Sequence, residues 1–137
     1  MGFLIDSTVL IDYERGIIDL GGRLARGDEE IFVSVVTASE LLHGVHRAQD
    51  VGIRGRRSKF VEGILGSFPL LPVDLATARV HALLGSTLAA AGTLIGSHDL
   101  WLAATCLTHG LTMVTSNLRE FKRVPKLRVE TWGTSKS

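Results

Sequence analysis

The chain has 137 residues, a length that accommodates one hydrophobic core and excludes a large multidomain protein. Apolar residues make up 45% of it and charged residues 21%, which is typical of a folded domain and excludes an intrinsically disordered chain. The formal net charge of +1 excludes a uniformly basic nucleic-acid-binding domain.

Targeting and membrane signals are missing from the sequence pattern. The N-terminal apolar run has no basic segment before it, and Asp6 interrupts it too early for a signal peptide. No uninterrupted apolar stretch reaches the roughly 18 residues that a membrane helix needs. The single cysteine, Cys106, lies in an apolar segment and is predicted to be a buried hydrophobic side chain. We expect a cytoplasmic, soluble protein with one domain over residues 1–132 and a polar tail over 133–137.

The first elements alternate between strand and helix. Residues 2–5 (GFLI) are predicted to form a short buried strand. Residues 7–16 follow as a helix that Ser7 or Thr8 can cap. A second helix is predicted for residues 18–26, and the apolar, β-branched segment 31–36 (IFVSVV) is typical of a parallel strand covered on both faces.

The rest of the chain continues this alternation. Helical spacing covers residues 37–48, and a basic helix interrupted by glycines is predicted for 52–65. The later elements are a strand at 68–73, a helix at 75–92 capped by Asp74, a helix at 98–110, a strand at 111–117 and a last strand at 128–132. This order predicts an α/β fold, with a central parallel sheet of four to five strands and helices on both faces.

Acidic residues follow several of these strands. Asp6 ends the first strand, Glu40 lies one turn into the helix after the second, and Asp99 lies in the first turn of the helix at 98–110. In parallel sheets the carboxyl ends of the strands share one crevice, so these acids are expected to meet there. Like charges in one crevice raise each other's pKa unless a cation lies between them. Oxygen ligands favour Mg²⁺ or Mn²⁺, and no Cys or His set has the spacing of a zinc site.

Each acid also has a structural interpretation, which the sequence leaves open. Asp6 can cap the first helix. Glu40 closes the pattern TASE, in which it and Thr37 can form a capping box. Asp99 can favour a helix N-terminus through the helix dipole, and Asn117 is a common turn residue.

Three longer segments carry a resemblance to a known family. They are FLIDSTVLIDYERG, VSVVTASELLHGV and HDLWLAATCLTHGLTMVTSNLREFKRVPKLRVETW. Together they resemble the PIN-domain ribonuclease toxins of type II toxin–antitoxin modules, the VapC group, from Phe3 to Trp132. The resemblance implies catalytic and metal-binding roles at Asp6, Glu40, Asp99 and Asn117, with hydroxyl groups at Thr115 and Ser7. The family often has Asp at the position of Asn117, so a second metal site is expected to be weaker here.

The resemblance also implies an activity and partners. The activity is Mg²⁺-dependent endonucleolytic cleavage of an RNA (tRNA, rRNA or mRNA), with Mn²⁺ as a possible substitute, and it inhibits translation and growth. The partners are a cognate VapB-type antitoxin, which we expect to place an arginine among the acids, and a second copy of the chain. The basic segments 53–59 and 119–128 are expected to hold the RNA backbone.

Other functions are weighed against this one. A haloacid dehalogenase-like phosphatase needs a second acid two residues after the first, and Thr8 occupies that position. A phospho-accepting receiver module needs paired acids after the first strand and a lysine after the last, and both are missing. A catalytically weakened PIN-like module that binds RNA or protein remains as the alternative, since Asn117 is a departure from the acidic set.

Overall fold

A parallel sheet forms the centre of the structure, a computed structural model that describes residues 2–25 and 29–132. Its strands are β1 (Gly2–Ile5), β2 (Glu30–Ser34), β3 (Leu70–Leu71), β4 (Thr112–Val114) and β5 (Val129–Glu130). They form one five-stranded sheet in the order β3-β2-β1-β4-β5, and every neighbouring pair is parallel. The predicted α/β fold with a parallel sheet is confirmed.

Helices connect the strands. They are α1 (Ser7–Glu14), α2 (Leu20–Ala25), α3 (Val35–Arg47), α4 (Val51–Ser67), α5 (Leu75–Ala90), α6 (Ser97–His109) and α7 (Leu118–Phe121). The alternation of side chains along β1 separates two hydrophobic clusters. Phe3 and Ile5 pack with residues of α1 and α4, whereas Leu4 packs with residues of α5 and α6. Both faces of the sheet are therefore covered by helices, as the sequence predicts.

The boundary between β2 and α3 differs from the prediction. The strand predicted for residues 31–36 ends at Ser34, and Val35 and Val36 already belong to the helix. Ser34 is the N-cap, and its hydroxyl accepts a hydrogen bond from the Val36 backbone N–H at 3.0 Å. The capping hydroxyl decides the boundary, although β-branched residues favour a strand.

The other predicted elements agree with the structure in kind and differ in length. Asp74 caps α5 and accepts from the Thr77 backbone N–H at 2.9 Å, as predicted. Gly110 ends α6 with φ of 68°. The strands predicted for 68–73 and 128–132 are reduced to two residues each. The helix predicted for 18–26 appears as α2, and residue 26 lies outside the described residues.

Two further sequence expectations concern hydrophobic segments. Cys106 is buried among the α5 and α6 side chains, as predicted. In residues 2–25 and 29–132, no helix is both long enough and apolar enough to cross a lipid bilayer.

The order of the strands places a crevice at the centre of the sheet. From β1 the chain moves to one side to form β2 and β3, and then returns to the other side of β1 to form β4 and β5. At such a reversal the connections after the two neighbouring strands diverge to opposite faces and leave an opening at their carboxyl ends. The residues that follow β1 and β4 line this opening.

Candidate active site

Asp6 follows the last residue of β1, at the central opening of the sheet. Its side chain accepts a hydrogen bond from the Val9 backbone N–H at 3.2 Å and is the N-cap of α1. The prediction that Ser7 or Thr8 caps this helix is therefore wrong, because Asp6 itself does so. Asp6 is only 4% exposed, and this burial raises its pKa.

Hydroxyl groups around Asp6 oppose this effect of burial. Interactions with the Thr115 and Thr8 hydroxyls favour the charged form and lower the pKa. Thr8 Oγ1 donates to Asp6 Oδ1 at 2.5 Å and lies 3.3 Å from Thr115 Oγ1. The same Thr8 oxygen accepts from the Ser116 backbone N–H at 2.9 Å. Thr8 thereby joins the carboxylate to the segment after β4.

Glu40 lies on α3, one turn and a half into the helix. The capping box proposed for Thr37 and Glu40 does not form, because α3 begins two residues before Thr37 and is capped by Ser34. The buried Thr37 hydroxyl has no hydrogen-bond partner among the described residues. Glu40 Oε2 instead lies 3.9 Å from His98 Nδ1 on α6. The Glu40 side chain therefore faces the cleft that His98 borders.

Asp99 lies in the first turn of α6 and interacts with three other acids. The pKa of Asp99 is raised to about 7, and burial is the largest cause. A hydrogen bond that protonated Asp99 donates to Glu120 raises the pKa further. The like charges of Glu120, Asp6 and Glu40 act in the same direction. The reciprocal effect lowers the pKa of Glu120, which also accepts from the Gly96 backbone N–H at 3.3 Å. Ionisation of one of these two carboxyl groups therefore opposes ionisation of the other.

The structure gives Asn117 a local role. Its side-chain oxygen accepts from the Arg119 backbone N–H at 3.4 Å, so Asn117 is the N-cap of the short helix α7. Its own backbone N–H donates to Thr115 Oγ1 at 3.0 Å. A role for Asn117 in metal binding stays a prediction, and the carboxylate that this segment brings to Asp99 is Glu120.

Glu120 is the acidic residue of the cleft that the sequence analysis missed. It lies inside the basic segment 119–128, where its neighbours indicate an RNA-binding surface. Its spacing from Asn117 is the sequence signal that could have identified it. Asn is a favoured N-cap residue, and Glu120 lies three residues later, in the first turn of α7.

The donor atoms in this cleft fit a hard divalent cation. Asp6, Glu40, Asp99 and Glu120 supply carboxylate oxygens, and no thiolate accompanies them. Within residues 2–25 and 29–132, no three acidic, histidine or cysteine side chains stand close enough together to surround an ion already. Burial is the largest cause of the raised pKa of Asp99, and repulsion by the neighbouring acids adds to it. A cation between the acids would relieve that repulsion.

Fold and site together define a class of protein. It is the class of small α/β domains that gather acidic side chains in a cleft at the carboxyl ends of a parallel sheet. The sequence matches the PIN domain family over residues 3–127. The chain belongs to the PIN domain family and, within it, to the VapC group.

Individual relatives agree with this assignment. The chain is 34% identical to "Ribonuclease VapC" of Rickettsia bellii over 131 residues, which cover 96% of each chain. It is 34% identical to "tRNA(fMet)-specific endonuclease VapC" of Shigella flexneri over 132 residues, covering 96% of this chain and 98% of the relative. The crystal structure of DNA-bound VapBC from Salmonella typhimurium superposes with a TM-score of 0.86 at 27% identity, covering 96% of this chain and 98% of that one.

Proposed function

We propose that this chain is the toxin of a type II toxin–antitoxin system, an Mg²⁺-dependent endoribonuclease that cuts RNA phosphodiester bonds and thereby inhibits translation and growth. The observation that carries the proposal is the meeting of Asp99 with Glu120, Asp6 and Glu40 in one cleft, where their charges act on its pKa. Relatives named ribonuclease and tRNA endonuclease support RNA as the substrate class. Residues 1–132 act as one domain in this proposal.

The site residues have distinct roles in the proposed reaction. Asp6, Asp99 and Glu40 would hold Mg²⁺, with Mn²⁺ as a substitute, and the segment after β4 would add a further oxygen ligand from Asn117 or from Glu120. The bound ion supplies a more acidic water molecule and neutralises charge on the phosphate. Thr8 and Thr115 keep the Asp6 carboxylate oriented by their hydroxyl groups. Asn117 contributes by fixing the start of α7 and hence the position of Glu120.

The proposed partner is a VapB-type antitoxin. The similar crystal structure from Salmonella typhimurium, which is a DNA-bound VapBC complex, supports this partner. We propose that it inhibits by placing an arginine among the acids, because a guanidinium group can bridge two carboxylates. An inhibited complex in which the cleft is open and binds Mg²⁺ normally contradicts this mechanism. The chain is further proposed to form a homodimer and to act in the cytoplasm, where its RNA substrate is.

The substitution Asp6→Asn tests the ribonuclease proposal. Asn caps a helix about as well as Asp, so the variant should fold and, without metal, be as stable as the wild type or more so. It should nevertheless lose RNA cleavage, and the rise in melting temperature on adding Mg²⁺ should shrink with it. The measurements are cleavage of total RNA with Mg²⁺ or EDTA and thermal melting under both conditions.

The same assay separates the proposal from its alternative. A wild-type protein that binds RNA without cutting it in Mg²⁺ is the catalytically weakened module that Asn117 suggested. An Asp6→Asn variant that cuts RNA normally, or that loses activity only because it is unfolded, refutes the metal-ligand role of Asp6.

A further inference from the structure

A groove between α1, α3 and α4 opens directly beside the acidic cleft. Glu40 lines its cleft end together with Ser7, the residue after Asp6. The groove has a volume of about 250 Å³. This is slightly below the roughly 300 Å³ at which small-molecule pockets begin, so the groove suits one unit of a longer ligand rather than a complete small molecule.

The floor of this groove is apolar and includes an aromatic ring. Ile11, Leu41 and Phe60 line it. Phe60 is partly buried against the core, and its ring centroid lies 5.9 Å from that of Tyr13. These neighbouring side chains restrict the positions that the Phe60 ring can take. An aromatic ring in a groove of this size is suited to stacking against one unpaired base.

The rim of the groove carries three arginines and one acid. The arginines are Arg15, Arg47 and Arg57, and the acid is Glu14. Within the part of the chain that the structure describes, none of the three guanidinium groups forms a hydrogen bond or an ion pair. They are exposed and open to an anion from outside the chain.

Three other arginines of the basic segments have structural partners. Arg54 donates to the Ala48 carbonyl, Arg123 to the Leu94 carbonyl and Arg128 to the Gly110 carbonyl. The arginines that border the groove differ from Arg54, Arg123 and Arg128, because they donate no hydrogen bond to a backbone carbonyl of the described residues.

We infer that this groove binds one unpaired nucleotide of the RNA next to the phosphate that is cut. Its phosphate lies on Arg47 and Arg57, and its base lies against Phe60. Guanidinium groups suit a phosphate because they offer paired donors. A base within a duplex cannot reach the floor, so the cut must fall in a loop or a single strand. This inference rests on the proposed ribonuclease function.

Binding of a labelled oligonucleotide tests the inference without cleavage. The probe is a fluorescein-labelled, single-stranded 2′-O-methyl hexanucleotide, and its dissociation constant is measured by anisotropy with EDTA over a series of salt concentrations. Arg57→Gln and Arg47→Gln should each weaken binding about tenfold, and each should lower the slope of log Kd against log salt by about 0.7. Phe60→Leu should weaken binding and leave that slope unchanged.

Arg79→Gln is the matched control, because Arg79 is an exposed arginine on α5 that lies outside the groove and outside both basic segments. It should leave both the affinity and the salt slope close to those of the wild type. Equal losses in Arg79→Gln and Arg57→Gln would overturn the inference, since binding would then follow overall charge. Equal affinity for a double-stranded probe would overturn it as well.

The antitoxin is the other candidate for this groove. If Arg47→Gln and Arg57→Gln bind the hexanucleotide like the wild type but lose affinity for the antitoxin, the groove belongs to the antitoxin and the inference is wrong. If the groove variants behave as expected while the wild-type protein cuts no RNA, nucleotide binding is supported and the ribonuclease proposal fails alone.

Discussion

The Asp6 carboxylate both caps helix α1 and lies in the acidic cleft, two roles between which the sequence alone does not decide. Its oxygen Oδ1 caps α1 through Val9 and accepts from the Thr8 hydroxyl. Both contacts favour the charged form, whereas burial favours the neutral one. An acid that is buried and yet oriented by donors has little freedom to move when a cation binds. The cap therefore contributes to the geometry of the site.

Thr8 is predicted to be a positioning residue for Asp6. Thr8→Val keeps the β-branched shape but removes a donor from Asp6 and leaves the Ser116 N–H without its acceptor. We expect kcat for RNA cleavage to fall roughly tenfold, corresponding to the loss of a charge-assisted hydrogen bond, with KM nearly unchanged. Thr8→Ser should restore most of kcat, and steady-state kinetics on RNA measure both. A valine variant with full kcat contradicts this role.

Asp99 is predicted to make the metal-free protein less stable as the pH rises. Folding raises the pKa of Asp99 from 3.8 to about 7. The contribution of Asp99 to the free energy of unfolding is therefore most favourable below about pH 4, and this stability is lost as the pH rises through 7. Asp99→Asn cannot ionise. In EDTA the variant should therefore melt at a higher temperature than the wild type near pH 8, and the difference should shrink toward pH 4. Melting curves across this range measure it.

Asp74→Asn is a control for which we expect the opposite dependence of stability on pH. Hydrogen bonds from Thr77 lower the pKa of Asp74, so its contribution is present at neutral pH and is lost as the pH falls through the lowered pKa. At neutral pH the wild type should therefore melt at a higher temperature than Asp74→Asn. A pH-independent difference for Asp99→Asn would show that Asp99 does not carry a raised pKa.

Helices and strands are predicted more accurately from the sequence when more residues carry the pattern that defines them. Strand β1 and helix α6 were predicted within one residue at each end, because long apolar patterns and Gly110 define them. The start of α3 was placed too late because Val35 and Val36 continue the apolar run of β2. Helix α7 has four residues, too few for any period, and Glu120 was missed with it.

Gly110 is predicted to be required at the end of α6. Its φ of 68° lies in the left-handed region, where a side chain is strained. We expect Gly110→Ala to lower the free energy of unfolding by about 1 kcal/mol. Gly63→Ala is the control within α4, where an added Cβ meets no atom within 4 Å, and it should raise that free energy by up to about 1 kcal/mol. Urea unfolding measures both, and equal effects of the same sign contradict the argument.

At the scale of the whole molecule, apolar side chains remain on the surface of two helices. Leu75 and Leu83 on α5 are 66% and 71% exposed, and Val51 at the start of α4 is 80% exposed. Exposed apolar residues close together are typical of an interface between chains. Each of the two helices therefore offers apolar surface to the second copy of the chain that the sequence analysis expects.

The predicted homodimer can be assigned to one of these helices. Leu83→Glu should shift the protein from dimer to monomer, because the substitution buries a charge in an apolar interface. Val51→Glu should leave the dimer intact. Light scattering at micromolar concentration, without antitoxin, measures both variants. A wild-type monomer contradicts the dimer, and dissociation by Val51→Glu alone places the interface on α4.

The position of β4 beside β1 has a consequence for how the chain is made. Thr8 and Thr115, which meet at the cleft, are 107 residues apart in the sequence, and β4 must lie beside β1 before they can touch. A ribosome has therefore synthesised nearly the whole chain before Asp99 and Glu120 can join Asp6 at one site. A nascent chain that stalls earlier carries Asp6 and Glu40 but no complete acidic cleft. The order of synthesis thus withholds the site from any chain that ends before α7.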